Sequence, residues 1–109
     1  MKRSITVLAV WALLAAVQPV AAQNATAAAA TIEIKDFDFH PMNVTIAAGG
    51  SVTWKNRDGE PHTVTSTDGL FRSGAIDQEE SFTYKFDKPG VYGYLCSIHP
   101  KMRATVTVQ

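Results

Sequence analysis

From Thr31 onward the chain alternates apolar and polar side chains with a period of two. The stretches "TIEIKDF" and "NVTIAA" alternate in this way, the second with Val44 and Ile46 on one face. "SVTWKN" puts Val52 and Trp54 on one face, "HTVTS" alternates again, and "SFTYKF" aligns Phe82, Tyr84 and Phe86. "VYGYLC" and "RATVTV" complete the series. Successive side chains of an extended strand point to opposite faces, so each stretch predicts a strand with one apolar face. "AGG" and "KPG" are expected turns, and "RDGEP" a loop. Thr67 to Gln78 is the least regular segment and is expected to hold a loop or a brief turn of helix. Several short strands in one domain predict an all-β sandwich or barrel. Trp54, Phe82, Tyr84, Phe86, Tyr92 and Tyr94 are the expected aromatic core. Tyr92, just after Pro89-Gly90, is placed to form a tyrosine corner.

The first 22 residues follow a different plan. Lys2 and Arg3 precede an apolar run from Ile5 to Val17, Pro19 breaks it, and Val20-Ala21-Ala22 supplies small residues. This is the layout of a cleaved secretory signal peptide, and the run is shorter than the roughly 20 residues a membrane span needs. Residues 23–30, "QNATAAAA", read as a flexible Ala-rich spacer. Residues 31–109 then form one small domain, with a core that is adequate but has little to spare. Without residues 1–22, eight basic residues face ten acidic ones. That balance argues against a nucleic-acid partner, which requires a clustered basic surface.

Chemistry is concentrated in "CSIHPKMR", residues 96–103. Cys96 is the only cysteine, so no disulfide can form within the chain, and a free thiol is a liability in an oxidising compartment. Strand parity places Tyr92, Tyr94 and Cys96 on one face, with the thiol pointing inward at the strand end. Burial alone would account for a cysteine, but not for His99 and Met102 following at once. Zinc prefers Cys and His in pairs and rarely takes a thioether. Thiolate, imidazole and thioether together favour copper. Of the other histidines, His62 lies directly after the "RDGEP" loop, where strand ends converge, and His40 reads as a surface residue. His62, Cys96, His99 and Met102 make the donor set of a blue-copper electron-transfer site.

Trp54, Asn56, Asp58, His62 and Val64, followed by Cys-x-x-His-x-x-Met at Cys96, His99 and Met102, resemble the type 1 copper proteins called cupredoxins. The loop spacing is most similar to the amicyanins within that family. The resemblance covers nearly all of residues 31–109. It implies a Greek-key β-sandwich with one copper ion at one end. His62, Cys96 and His99 would be the equatorial ligands, both histidines binding through Nδ1, with Met102 the long axial ligand. It further implies a periplasmic monomer that is not an enzyme and passes single electrons between redox proteins. An amine dehydrogenase as donor and a c-type cytochrome as acceptor are the implied partners. A periplasmic copper-delivery protein would use the same ligands and is the alternative reading. A structural sandwich that pairs Cys96 with another chain, and an enzyme with an opened copper site, are further rivals.

Three positions depart from the family pattern. Thr63 stands where Asn is frequent, and can join the two ligand loops only through a shorter hydroxyl reach. Ile98 replaces a frequent Pro and brings a backbone N–H that could donate to the Cys96 sulfur. Lys101 adds a charge to the surface around His99 and would favour an acidic partner face.

Overall fold

Seven strands carry the chain: β1 (Ala27–Lys35), β2 (Asp38–His40), β3 (Asn43–Asn56), β4 (Thr65–Ser66), β5 (Ser81–Phe86), β6 (Gly90–Leu95) and β7 (Arg103–Val108). The structure is a computed structural model that describes residues 2–4, 6, 9 and 26–109. The signal peptide expected over residues 1–22, and the spacer as far as Ala25, lie almost wholly outside the described residues. No helix among the described residues is long and apolar enough to cross a membrane.

The strands form the expected sandwich, with β3 shared by both layers. Its first half pairs in parallel with β7, from Asn43 opposite Thr105 to Ile46 opposite Val108. Its second half pairs in parallel with β1 and antiparallel with β5. One layer is therefore β2-β1-β3-β5 and the other β3-β7-β6-β4. Ile32, Ile34, Val52 and Trp54 from the first layer pack against Ile46, Tyr94, Val106 and Val108 from the second, all buried. The Trp54 ring meets Tyr94 edge-on at 5.3 Å and stacks on Phe82 at 5.8 Å. The Tyr92 hydroxyl donates to the Lys88 carbonyl at 2.6 Å, which makes the tyrosine corner.

Three local expectations are corrected. "AGG" is not a turn between two strands, because β3 runs through it as a single bent strand. Gly49 takes φ +86°, a conformation that side chains disfavour. At Gly50 an added Cβ would lie 2.5 Å from the Ala28 carbonyl oxygen and 2.8 Å from that of Ala47. The two glycines thus let the strand bend from one layer to the other while β1 lies close against it. Second, the first strand begins at Ala27 rather than Thr31: Ala29 and Ala30 pair with Ser51 and Val52, so part of the spacer belongs to the sheet. Small side chains suit that close approach. Third, "HTVTS" is a strand only at Thr65–Ser66, and His62 is held by an isolated bridge to Ile76. The segment 67–78 is loop without helix, pinned by that bridge and by a second one between Thr65 and Arg72.

Gly50→Ala is expected to destabilise the domain by about 1–3 kcal/mol through backbone overcrowding. Thermal unfolding should then begin roughly 5–15 °C lower for a domain of this size. Gly59, whose Cβ would meet nothing within 4 Å, serves as the control and should tolerate alanine. An unchanged midpoint for Gly50→Ala would refute the close-approach account.

Candidate metal centre

The loop from Asn56 to Thr65 delivers His62, and Asn56 fixes that loop. Its buried side chain donates to the carbonyls of Glu60 at 2.8 Å and Ile76 at 2.9 Å, and accepts from the Asp58 N–H at 2.9 Å. His62 and Ile76 exchange backbone hydrogen bonds of 3.2 and 2.8 Å. Cys96 follows directly on β6, and the loop after it closes on itself. Met102 N–H donates to the His99 carbonyl at 2.9 Å, and Cys96 N–H to the Met102 carbonyl at 3.1 Å.

Thr63 joins the two loops. Its hydroxyl accepts from the Ser97 N–H at 2.8 Å and lies 2.9 Å from the Ser97 hydroxyl. Its backbone N–H donates to Cys96 Sγ at 3.3 Å. The shorter side chain therefore does make the loop-to-loop connection. Among the described residues Thr63 supplies the N–H directed at the sulfur, and the donor expected at Ile98 is not formed.

Three donor atoms converge at this end of the sandwich. Cys96 Sγ lies 3.8 Å from Nδ1 of His62 and 3.8 Å from Nδ1 of His99. All three ligand atoms fall within 4.8 Å of one another. Donors placed about 2.0–2.3 Å from a common ion in a trigonal array would be roughly 3.5–3.9 Å apart, so the spacing suits one small metal ion. The far side of His62 fixes its tautomer. Nε2 lies 2.8 Å from Asp58 Oδ2, and a carboxylate can only accept there, so Nε2 carries the proton and Nδ1 presents a lone pair inward. His62 and Cys96 are fully buried, Met102 is 4% exposed and His99 is half-buried.

The same carboxylate performs a second task that the sequence pattern did not reveal. Asp36 and Phe37 form the two-residue turn between β1 and β2, both with positive φ, at 54° and 58°. Asn-Gly suits such a turn, and an aromatic residue there is strained by about 1–3 kcal/mol. Asp58 offsets that strain by accepting from the Asp36 N–H at 2.8 Å and the Phe37 N–H at 3.0 Å. The turn holds the Phe37 ring edge-on against both imidazoles, 5.2 Å from His62 and 5.0 Å from His99. Burial alone would push the Asp58 carboxyl up. The hydrogen bonds from Phe37, Asp36 and His62 outweigh it and leave the group below its ordinary value.

The expected residues thus separate clearly. His62, Cys96 and His99 come together, with Met102 buried at the closing end of the same loop. His40 is exposed, its Nε2 3.0 Å from the Lys35 carbonyl. Lys101 is exposed. Phe37 was missed because "TIEIKDF" read as one alternating strand, whereas β1 ends at Lys35 and Asp36-Phe37 turn the chain into β2.

Fold and donor geometry together define a copper-binding β-sandwich. A family model described as a cupredoxin-like domain matches residues 4–108, and the chain belongs to the cupredoxin family. Amicyanin-alpha of Methylorubrum extorquens is 32% identical over 99 residues, spanning 82% of this chain and 79% of that protein. Plastocyanin of Scenedesmus fuscus is 40% identical over 84 residues, 65% of this chain and 86% of that one. Among solved structures, a purple cupredoxin from Nitrosopumilus maritimus superposes with a TM-score of 0.68 at 34% identity, covering 73% of this chain and 99% of that one.

Asp58→Ala is expected to cost the metal-free domain at least about 2 kcal/mol, since it removes charge-assisted hydrogen bonds and exposes the turn's strain. In a Phe37→Gly background the same change should cost clearly less, because glycine accepts positive φ. Equal costs in a urea-unfolding double-mutant cycle would refute the clasp. The pH dependence has a fixed sign. A carboxyl whose folded pKa is depressed contributes stability above its unfolded pKa of about 3.9, and that contribution disappears as pH falls through the folded value. Metal-free protein should therefore lose stability in acid below about pH 4, and Asp58→Asn should lose less over that range.

Proposed function

We propose that this protein is an exported, mononuclear type 1 copper electron carrier. His62, Cys96, His99 and Met102 would hold the ion. The observation that carries the reading is the triangle of one buried thiol and two inward Nδ1 atoms, with the His62 tautomer set by Asp58. When bound, copper supplies a one-electron couple, and a thiolate with two imidazoles suits both of its oxidation states.

The chain's own residues then set the working conditions. Asn56, Asp58 and Thr63 hold the donors in place through hydrogen bonds to both loops, so the site has little freedom to rearrange between redox states. The Thr63 N–H directed at Sγ stabilises charge on the sulfur. Half-buried His99 lies beside the exposed side chains of Phe37 and Ile98, each 48% accessible, and this is the side on which a redox partner would approach. Exposed Lys101 on that loop and Arg103 at the start of β7 favour an acidic partner surface. An amine dehydrogenase donor and a c-type cytochrome acceptor, in a periplasm reached by cleavage after residue 22, fit the likeness to amicyanins. Electron carriage rather than enzymatic turnover agrees with a ligand set that is complete without substrate.

Addition of Cu(II) to residues 23–109 is expected to give an intense visible absorption and a small copper hyperfine splitting in EPR, both lost in Cys96→Ser. Met102→Ala should keep the colour and alter the reduction potential. Bound copper should raise the unfolding temperature, since a ligand specific for the folded state stabilises it by mass action. An ordinary Cu(II) spectrum, or colour that fades without return on reoxidation, would replace electron transfer with copper delivery.

A further inference from the structure

A groove of about 380 Å³ is lined by Thr63, Thr65, Arg72, Gly74 and Ser97. Its chemistry is cationic and hydroxylic. Arg72 and Thr65 are partners in an antiparallel bridge, so their side chains leave the backbone on the same face. Arg72 is exposed, and none of the ion pairs among the described residues involves it. Gly74 presents no side chain, and a Cβ there would meet nothing within 4 Å, so the groove is open at that point.

Counting hydrogens shows that a donor is left over. The Thr63 hydroxyl lies 3.0 Å from that of Thr65 and 2.9 Å from that of Ser97, and also accepts from the Ser97 N–H. Three hydroxyls carry three hydrogens, and two hydroxyl contacts use two of them. With one lone pair of Thr63 taken by the N–H, Thr63 accepts from one neighbour and donates to the other. The neighbour that receives its hydrogen, Thr65 or Ser97, keeps its own hydrogen free. An unpaired planar guanidinium and a spare hydroxyl donor in one concavity are complementary to two oxygens of an anion.

We propose that this groove binds a small oxyanion, a phosphate or carboxylate group, held by Arg72 with Thr65 and Ser97. Occupancy would be felt at the metal ligands, because Thr63 both belongs to the hydroxyl chain and donates its N–H to Cys96 Sγ. Added negative charge there favours the more positive Cu(II) state, so the anion should lower the reduction potential. That coupling rests on the copper reading above; the binding does not.

The test is a titration of the protein, with and without Cu(I), with sodium phosphate and separately with sodium acetate at constant ionic strength, followed by amide NMR. Saturable shifts at Thr63, Thr65, Arg72, Gly74 and Ser97 are expected, with apparent affinity weakened about tenfold or more in Arg72→Gln and less in Arg72→Lys. Thr65→Val should weaken binding without removing the charge. Saturation by phosphate alone assigns a phosphate group, and saturation by acetate as well assigns a carboxylate. Shifts that grow without saturating, or that persist unchanged in Arg72→Gln, overturn the site. A potential that falls on saturation in the parent protein but not in Arg72→Gln supports the coupling to Cys96. An unmoved potential beside saturable binding overturns the coupling and leaves the site.

Discussion

The Asp58 carboxylate is the interaction on which the metal end of this molecule depends. One oxygen is shared between His62 Nε2 and the Phe37 N–H, and the other takes the Asp36 N–H. A single charge thus sets the tautomer of one candidate ligand, holds a strained turn and seats an aromatic ring against both imidazoles. Asp58 is itself placed by Asn56, whose side-chain oxygen accepts the Asp58 N–H. Asn56 is the last residue of β3, the strand that both layers share, so the position of His62 follows from the centre of the fold through two side chains.

The two halves of the centre come from parts of the chain 34 residues apart, and hydrogen bonds as well as packing bring them into register. Thr63 spans the gap with a backbone donor to the sulfur and a hydroxyl to the opposite loop. Rigidity of this kind comes from the chain's own hydrogen bonds. Buried polar groups such as Asn56 are tolerated because nearby carbonyls and an N–H satisfy them.

Much of this was legible in the residues, for identifiable reasons. Period-two alternation exposes a half-buried strand directly, and Ile32, Val52, Trp54, Tyr94 and Val106 all face inward as their parity requires. The Cys96, His99 and Met102 spacing is local, so its chemistry could be read from eight residues. What stayed hidden depends on contacts distant in sequence. Gly49 and Gly50 look like a turn until β1 and β7 are seen to pair with opposite halves of the same strand. Phe37 lies 25 residues from His62 in sequence, and only the Asp58 clasp brings it to the metal end. The Thr63 connection was foreseen in kind, while its backbone contribution to the sulfur was not.

The sharing of β3 has a consequence for the order in which the domain can assemble. Its parallel partners are the first strand and the last, so neither layer gains its central pairing from neighbours in sequence. Parallel pairing of distant segments must meet the entropy of closing long loops before contacts reward it. A nascent chain that has emerged only as far as Met102 already contains every candidate metal donor, yet it lacks β7, which closes the second layer beside β6. Without that strand the first half of β3 has no parallel partner and β6 no partner on that side, so a full set of donors does not by itself make a closed site.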